Sequence, residues 1–205
     1  MIKTIVFDMG NVLLRFDPEL FLDRLDLAGE DRTLLKREVF QSLEWGRMDR
    51  GSLTDEEAVA LIRARLPERL HAAVEELVCR WDRPILGIPG MAELAEELKG
   101  LGYGLYLLSN ASFRQHEYWP RVPGSRLFDG TLISADVKLV KPQPEIYRLL
   151  FDRFSLRPEE CFFIDDAINN MEGAFFCGMP GAVFHGDAGE LRRKLRAAGV
   201  PVREG

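Results

Sequence analysis

The chain has 205 residues, 46% hydrophobic and 29% charged, with a formal net charge of −6 at pH 7. That composition fits a globular protein with one large domain, or one domain carrying an insert, and it argues against a disordered chain. The negative balance also argues against non-specific nucleic-acid binding, which needs a cationic face, yet local donors can still hold a small anionic substrate.

Cys79, Cys161 and Cys177 are odd in number and form no CxxC pair, so neither a zinc ribbon nor a disulfide framework is expected. The opening MIKTIVFDMG lacks a long apolar segment followed by a small-residue cleavage site. No run is long enough to cross a bilayer. The expectation is a reduced, cytoplasmic protein with no membrane partner.

Along the chain, Lys3–Phe7 is a short apolar run that ends at Asp8 and reads as a buried strand. The section from about Phe16 to Leu86 has no convincing strand. Asp17-Pro18 suits a helix start, and Thr54-Asp55-Glu56-Glu57 reads as an N-cap with acids in the first turn. A helical module is therefore expected to interrupt the chain after the first strand. Met91–Leu101 has apolar residues at helical spacing behind Pro89-Gly90. Leu105–Leu108, Thr131–Ser134, Cys161–Ile164 and Gly181–Phe184 read as further buried strands, with helices over Pro144–Phe154 and Asn169–Phe176 between them. Strand and helix in alternation predict an α/β fold with a parallel sheet. The basic stretch Glu190–Ala198 reads as a solvated helix.

In open α/β sheets, ligands bind beyond the carboxyl ends of the strands. The first strand ends in Asp8, the LYLLSN strand in Ser109-Asn110, and CFFIDD in Asp165-Asp166. Lys141 stands just before a helix that Pro142 and Pro144 help to start. Taken singly, each has an ordinary explanation as a cap or a turn residue. Their joint occurrence at strand ends points to chemistry. Three converging carboxylates repel unless a cation lies between them, and oxygen ligands with open positions suit Mg²⁺. Metal and lysine would neutralise a phosphoryl group, so that Asp8 could attack phosphorus while Ser109 and Asn110 donate to the equatorial oxygens.

These residues resemble the haloacid dehalogenase-like hydrolases in four motifs spanning nearly the whole chain: FDMGNV, LLSN, Lys141-Pro142 and FIDDAINN. The resemblance implies a Rossmann-like core over 1–15 and 87–205, with a mobile helical C1-type cap over 16–86. It implies that Asp8 is the nucleophile and that Lys141 and Ser109–Asn110 bind the phosphoryl group. Asp8, the Gly10 carbonyl, Asp166 directly and Asp165 through water would hold Mg²⁺, with Asn170 orienting the acidic loop. The DMGNV form is most similar to phosphatases of the α-glucose-1-phosphatase type, which makes a small phosphorylated metabolite the expected partner. The alternatives are a 2-haloacid dehalogenase, in which Asp8 attacks carbon, and a catalytically weak phosphate-binding regulatory protein.

One position departs from the pattern. Many phosphatases of this family carry a second Asp two places after the nucleophile, as general acid and base. Here that place is Gly10, which has no proton to give. Asp17 is a candidate substitute, although its place before Pro18 suits a helix cap better. His71, His116 and His185 are scattered without ligand spacing. Trp45, Arg47 and Met48 in EWGRMDRG are candidates for contact with substrate, with packing inside the helical module as the more ordinary expectation.

Overall fold

The computed structural model describes residues 1–204. Its centre is a parallel sheet of β1 (Thr4–Phe7), β2 (Gly104–Ser109), β3 (Gly130–Ile133), β4 (Cys161–Asp165) and β5 (Gly181–Val183), in the order β3-β2-β1-β4-β5. Side chains alternate across the strands: Ile5 and Phe7 enter one apolar cluster and Val6 the other. Both faces of the sheet are therefore covered, which is why its strands read as unbroken apolar runs.

Between β1 and β2 the chain first forms α1 (Pro18–Leu22), α2 (Gly29–Leu35), α3 (Leu43–Asp49), α4 (Asp55–Arg63) and α5 (His71–Cys79). A π-helical turn at Lys36–Phe40 continues α2. Then come α6 (Met91–Gly100), α7 (Gln115–Tyr118), α8 (Ser134–Val137), α9 (Pro144–Phe154), α10 (Ile168–Phe176) and α11 (Ala188–Ala197). Leu94 and Leu98 of α6, with Leu191 and Leu195 of α11, pack on one face of the sheet; Ile146 and Leu150 of α9, with Ala174 of α10, pack on the other. Thr54 starts α4 with a full capping box, its hydroxyl accepting from Glu57 N–H while the Glu57 carboxylate accepts from Thr54 N–H.

The helical insertion leaves and rejoins the core through adjacent strands of chain. Arg15 N–H donates to the Leu86 carbonyl at 2.7 Å, and Ile88 N–H to that of Leu13 at 3.0 Å. Further on, the insertion rests against the core at Gly51. Its φ is +69°, and a Cβ there would lie 2.1 Å from the Ala135 carbonyl oxygen, so only glycine permits the contact.

Element ends differ by a residue or two from the sequence expectations. Ser134 opens α8 instead of closing β3, because its buried hydroxyl is used sideways, accepting from Ala111 N–H and donating to the Asp49 carbonyl. The last strand stops at Val183, α10 begins at Ile168, and the basic helix runs 188–197. Among the described residues, no helix is long and apolar enough to cross a membrane.

Candidate active site

The register of the sheet sets the floor of the site. Phe7 stands beside Leu107 on β2 and Ile164 on β4, so the next residue along, Asp8, emerges next to Asp165. Between β1 and β4 the strand order reverses, with α6 before β2 on one face and α9 before β4 on the other, and such a switch point is where these sheets bind ligands. Lys141 Nζ donates to Asp8 Oδ1 at 2.7 Å and to Asp165 Oδ2 at 2.6 Å. The lysine itself is 4% exposed. Asn110 fixes it there: the Asn110 carbonyl oxygen accepts from Lys141 N–H at 2.8 Å, and its amide donates to the Lys141 carbonyl at 3.0 Å.

Asp165 is fully buried and heavily bonded. Besides Lys141 it accepts from Ala167 N–H at 2.8 Å and from the Asn170 amide at 3.0 Å. Asp166 is exposed, with one hydrogen bond from the Asn11 amide at 3.2 Å. Asp8, Asp165 and Asp166 each offer a carboxylate oxygen within 4.8 Å of the others.

Burial pushes the Asp8 pKa up, Lys141 opposes it and Asp165 adds to it. Burial alone would lower that of Lys141, but the two carboxylates outweigh it and keep the ammonium charged. Asp166 is exposed at the rim, yet its pKa is also raised, first by partial loss of solvent around its carboxylate and also by Asp165, with the Asn11 amide opposing. One ammonium thus faces three carboxylates. A hard divalent cation on the open Asp166 side would remove the remaining repulsion, and an all-oxygen set open to solvent is what Mg²⁺ accepts.

Above this floor is a cavity of about 230 Å³. Asp8, Gly10, Asn110, Lys141, Asp166 and Asn170 line it from the core, and Phe16, Trp45, Met48, Asp49, Asp55 and Trp81 from the helical side. The aromatic residues brace one another. The Phe16 ring lies 5.0 Å from Trp81 and 5.6 Å from Trp45, and Trp81 lies 5.1 Å from Tyr118. A buried ionic contact holds this roof down, with Arg114 donating to Asp82 at 2.7 Å and Arg121 also bonded to Asp82. Burial works against the Asp82 carboxylate, but those two arginines prevail and its pKa falls. Arg114 lies 3.7 Å from Asp55, whose pKa burial pushes up to about 6. Asp49 ends α3, and its pKa is pushed up to about 7, by burial first and then by the charges of Asp55 and Asp8, with Lys141 opposing.

Of the strand-end residues read from the sequence, Asp8, Asn110 and Asp166 line the cavity, whereas Ser109 and Asp165 do not. Asp165 lies behind Asp8 and Lys141. Ser109 is 1% exposed and its hydroxyl has no hydrogen-bond partner. Asp17 instead caps α1, accepting from Glu19 N–H at 3.0 Å, and does not line the cavity. Of the EWGRMDRG residues, Trp45 and Met48 both pack in the module and face the cavity, whereas Arg47 is exposed. Asp49, Asp55, Ser112, Trp81 and Tyr118 were not singled out as site residues from sequence. Asp49 had a signal, as the acid of that same segment two residues before Gly51.

Fold and site together define a parallel α/β sheet protein with a lysine and an acidic cluster beyond its strand ends. A model of the haloacid dehalogenase-like hydrolases matches residues 2–178, and the chain belongs to that family. It is 27% identical over 189 residues to an (S)-2-haloacid dehalogenase of Burkholderia cepacia, covering 84% of this chain and 78% of that one. To a sesquiterpene phosphatase of Aspergillus oryzae it is 28% identical over 188 residues, covering 87% and 88%. Among solved structures, it resembles a HAD family enzyme of Bacteroides thetaiotaomicron in complex with magnesium and inorganic phosphate. The TM-score is 0.71 at 22% identity, over 93% of this chain and 99% of that one. An L-2-haloacid dehalogenase of Xanthobacter autotrophicus aligns with a TM-score of 0.65 at 20% identity, over 97% and 84%.

Proposed function

We propose that the protein is a Mg²⁺-dependent phosphatase that hydrolyses a small phosphomonoester through an aspartyl-phosphate on Asp8. The observation that carries this reading is the three-carboxylate cluster of Asp8, Asp165 and Asp166 around a single lysine. A carbon-attacking dehalogenase needs no Mg²⁺, so the presence of both Asp165 and Asp166 counts against it; a phosphatase uses such a pair to hold its metal. Bound Mg²⁺ would supply charge neutralisation for a phosphoryl group, with Asp8, Asp166 and the Gly10 carbonyl as its protein ligands and Asp165 acting through water. Magnesium and phosphate in the Bacteroides thetaiotaomicron neighbour are in keeping with this choice.

The chain's own residues do the rest. Lys141 draws charge from the phosphoryl oxygens and holds Asp8 in line. The unpartnered Ser109 hydroxyl and the second amide hydrogen of Asn110 are the donors left for the equatorial oxygens. Residues 16–86 act as a mobile cap over the core of 1–15 and 87–205, and their aromatic wall excludes water while phosphorus is transferred. A cavity of about 230 Å³ suits a small substrate, with a sugar phosphate of the kind used by α-glucose-1-phosphatases as our first choice.

The test is release of nitrophenolate from para-nitrophenyl phosphate with and without Mg²⁺, using Asp8→Asn as control. Turnover that requires the metal and disappears in Asp8→Asn is expected. The Burkholderia cepacia relative and the absent acid at Gly10 favour dehalogenation as the second reading. Halide release from 2-haloacids without metal, and no nitrophenolate, would put that reading first.

A further inference from the structure

Resting on the phosphatase reading, we propose that Asp49, from the helical roof, is the general acid and base that Gly10 cannot be. The argument begins with direction. Displacement at phosphorus is in line, so the leaving oxygen lies opposite Asp8 and points away from the floor. A proton donor is therefore needed in the roof, where α3 ends at Asp49 on the cavity wall.

Among the acids lining the cavity, the others are already committed. Asp8 is the attacking group and Asp166 faces the metal side. Asp55 is beside Arg114, the counterion that would keep it ionised. The Asp49 carboxylate has no ion pair or hydrogen bond among the described residues, yet its backbone is firmly held. Its carbonyl accepts from the buried Ser134 hydroxyl at 2.5 Å, and Gly51 presses the following turn onto Ala135. A free side chain on a fixed backbone is suited to proton transfer.

Its surroundings favour the protonated form. Four groups on four segments act on it or respond to it: Asp8 after β1, Asp55 on α4, Tyr118 on α7 and Lys141 before α9. Burial and the two carboxylates outweigh the lysine, giving a pKa of about 7, near the optimum for an acid that must also serve as a base at neutral pH.

The steps balance. Asp8 forms a bond to phosphorus as the bond to the leaving oxygen breaks, and the Asp49 proton passes to that oxygen to give the free alcohol. The Asp49 carboxylate then takes a proton from water as the water oxygen attacks phosphorus. The bond from phosphorus to Asp8 breaks, its electron pair returns to the Asp8 carboxylate, inorganic phosphate leaves, and Asp49 is again protonated.

The experiment compares an ester with a good leaving group, para-nitrophenyl phosphate, with an alkyl phosphate that needs protonation, in Mg²⁺ across pH. Wild type, Asp49→Asn and Asp49→Glu are measured. For Asp49→Asn, kcat/KM, which reports transfer to Asp8, is expected to fall at least ~10²-fold for the alkyl ester and less than ~10-fold for the nitrophenyl ester, while kcat falls for both through the shared hydrolysis step. The limb of the alkyl-ester pH profile near neutrality should vanish, and Asp49→Glu should restore part of the rate. Equal losses of kcat/KM on both esters would mean that Asp49 only supports the roof, and no loss on the alkyl ester would mean that it does nothing; either overturns the proposal while Asp8-dependent turnover stands. Absence of Asp8-dependent turnover of both esters in the wild type would overturn the phosphatase reading, and this proposal with it.

Discussion

The floor and the roof of the cavity are built on opposite plans. The charged and amide side chains of the floor are bonded to one another: Lys141 to Asp8 and Asp165, Asn110 to Lys141, Asn170 to Asp165. The roof is aromatic, with Phe16 against both Trp45 and Trp81, and among the described residues the one unengaged acid on its cavity wall is Asp49. The difference suggests a division of work. Under the proposed function, a cross-bonded floor would keep a nucleophile and a metal site in fixed geometry. A roof joined to the core by packing, the Arg114–Asp82 contact and the Ser134–Asp49 bond would return a carboxyl to the leaving oxygen each time it closes.

The largest effect should come from removing the central charge of the floor. Lys141→Met leaves Asp8 and Asp165 buried without their counterion, and about 3–5 kcal/mol of stability should be lost in chelator. Because Mg²⁺ can replace part of that charge, denaturant unfolding should recover part of the loss when the ion is added. A loss of the same size with and without the ion would show that the three acids do not form a metal site.

The roof should respond to pH where the floor responds to metal. The Asp49 pKa is raised from 3.8 to about 7 in the folded chain, so across that interval the native state binds more protons than the unfolded one. Asp49 then makes stability fall as pH rises from about 4 to 7, and it contributes no such penalty below that window. Asp49→Asn removes the titration and is expected to be more stable than wild type above pH 7, by on the order of 2–4 kcal/mol. The gain should fade towards pH 4. Thermal melts at pH 4, 6 and 8 would show it, and a gain independent of pH would contradict the assignment.

Smaller effects sharpen the contrast. Asp17→Ala removes the cap of α1 and should cost about 1 kcal/mol while leaving turnover of para-nitrophenyl phosphate unchanged. A large fall in turnover of an alkyl phosphate, with the nitrophenyl ester spared, would instead return Asp17 to the candidates for proton transfer.

The same contrast explains what could be read from the chain alone. Asp8, Ser109 and Asp165 end apolar runs, and a strand end in a parallel sheet has only one place to be, so the floor was legible almost residue by residue. Lys141 could be placed because two prolines announce the helix behind it. The roof was not legible in this way. Periodicity showed that 16–86 is helical, but which face of α3 meets the core depends on the contact between Gly51 and Ala135 and on the bond from Ser134 to Asp49. Both partners lie more than 80 residues away in sequence, where no local pattern reports them. No local pattern therefore marks Asp49, although Trp45 and Met48 of the same segment stand out by residue type.

The most direct test of the central claim is to trap the intermediate. Enzyme turning over a phosphomonoester in Mg²⁺ would be quenched with borohydride, which reduces an acyl phosphate to an alcohol, and the peptides then mapped by mass. The expected result is reduction at Asp8 alone, dependent on both substrate and Mg²⁺, with no turnover in Asp8→Asn. Undiminished phosphate release by Asp8→Asn, with no reduced residue in the wild type, would contradict nucleophilic attack by Asp8.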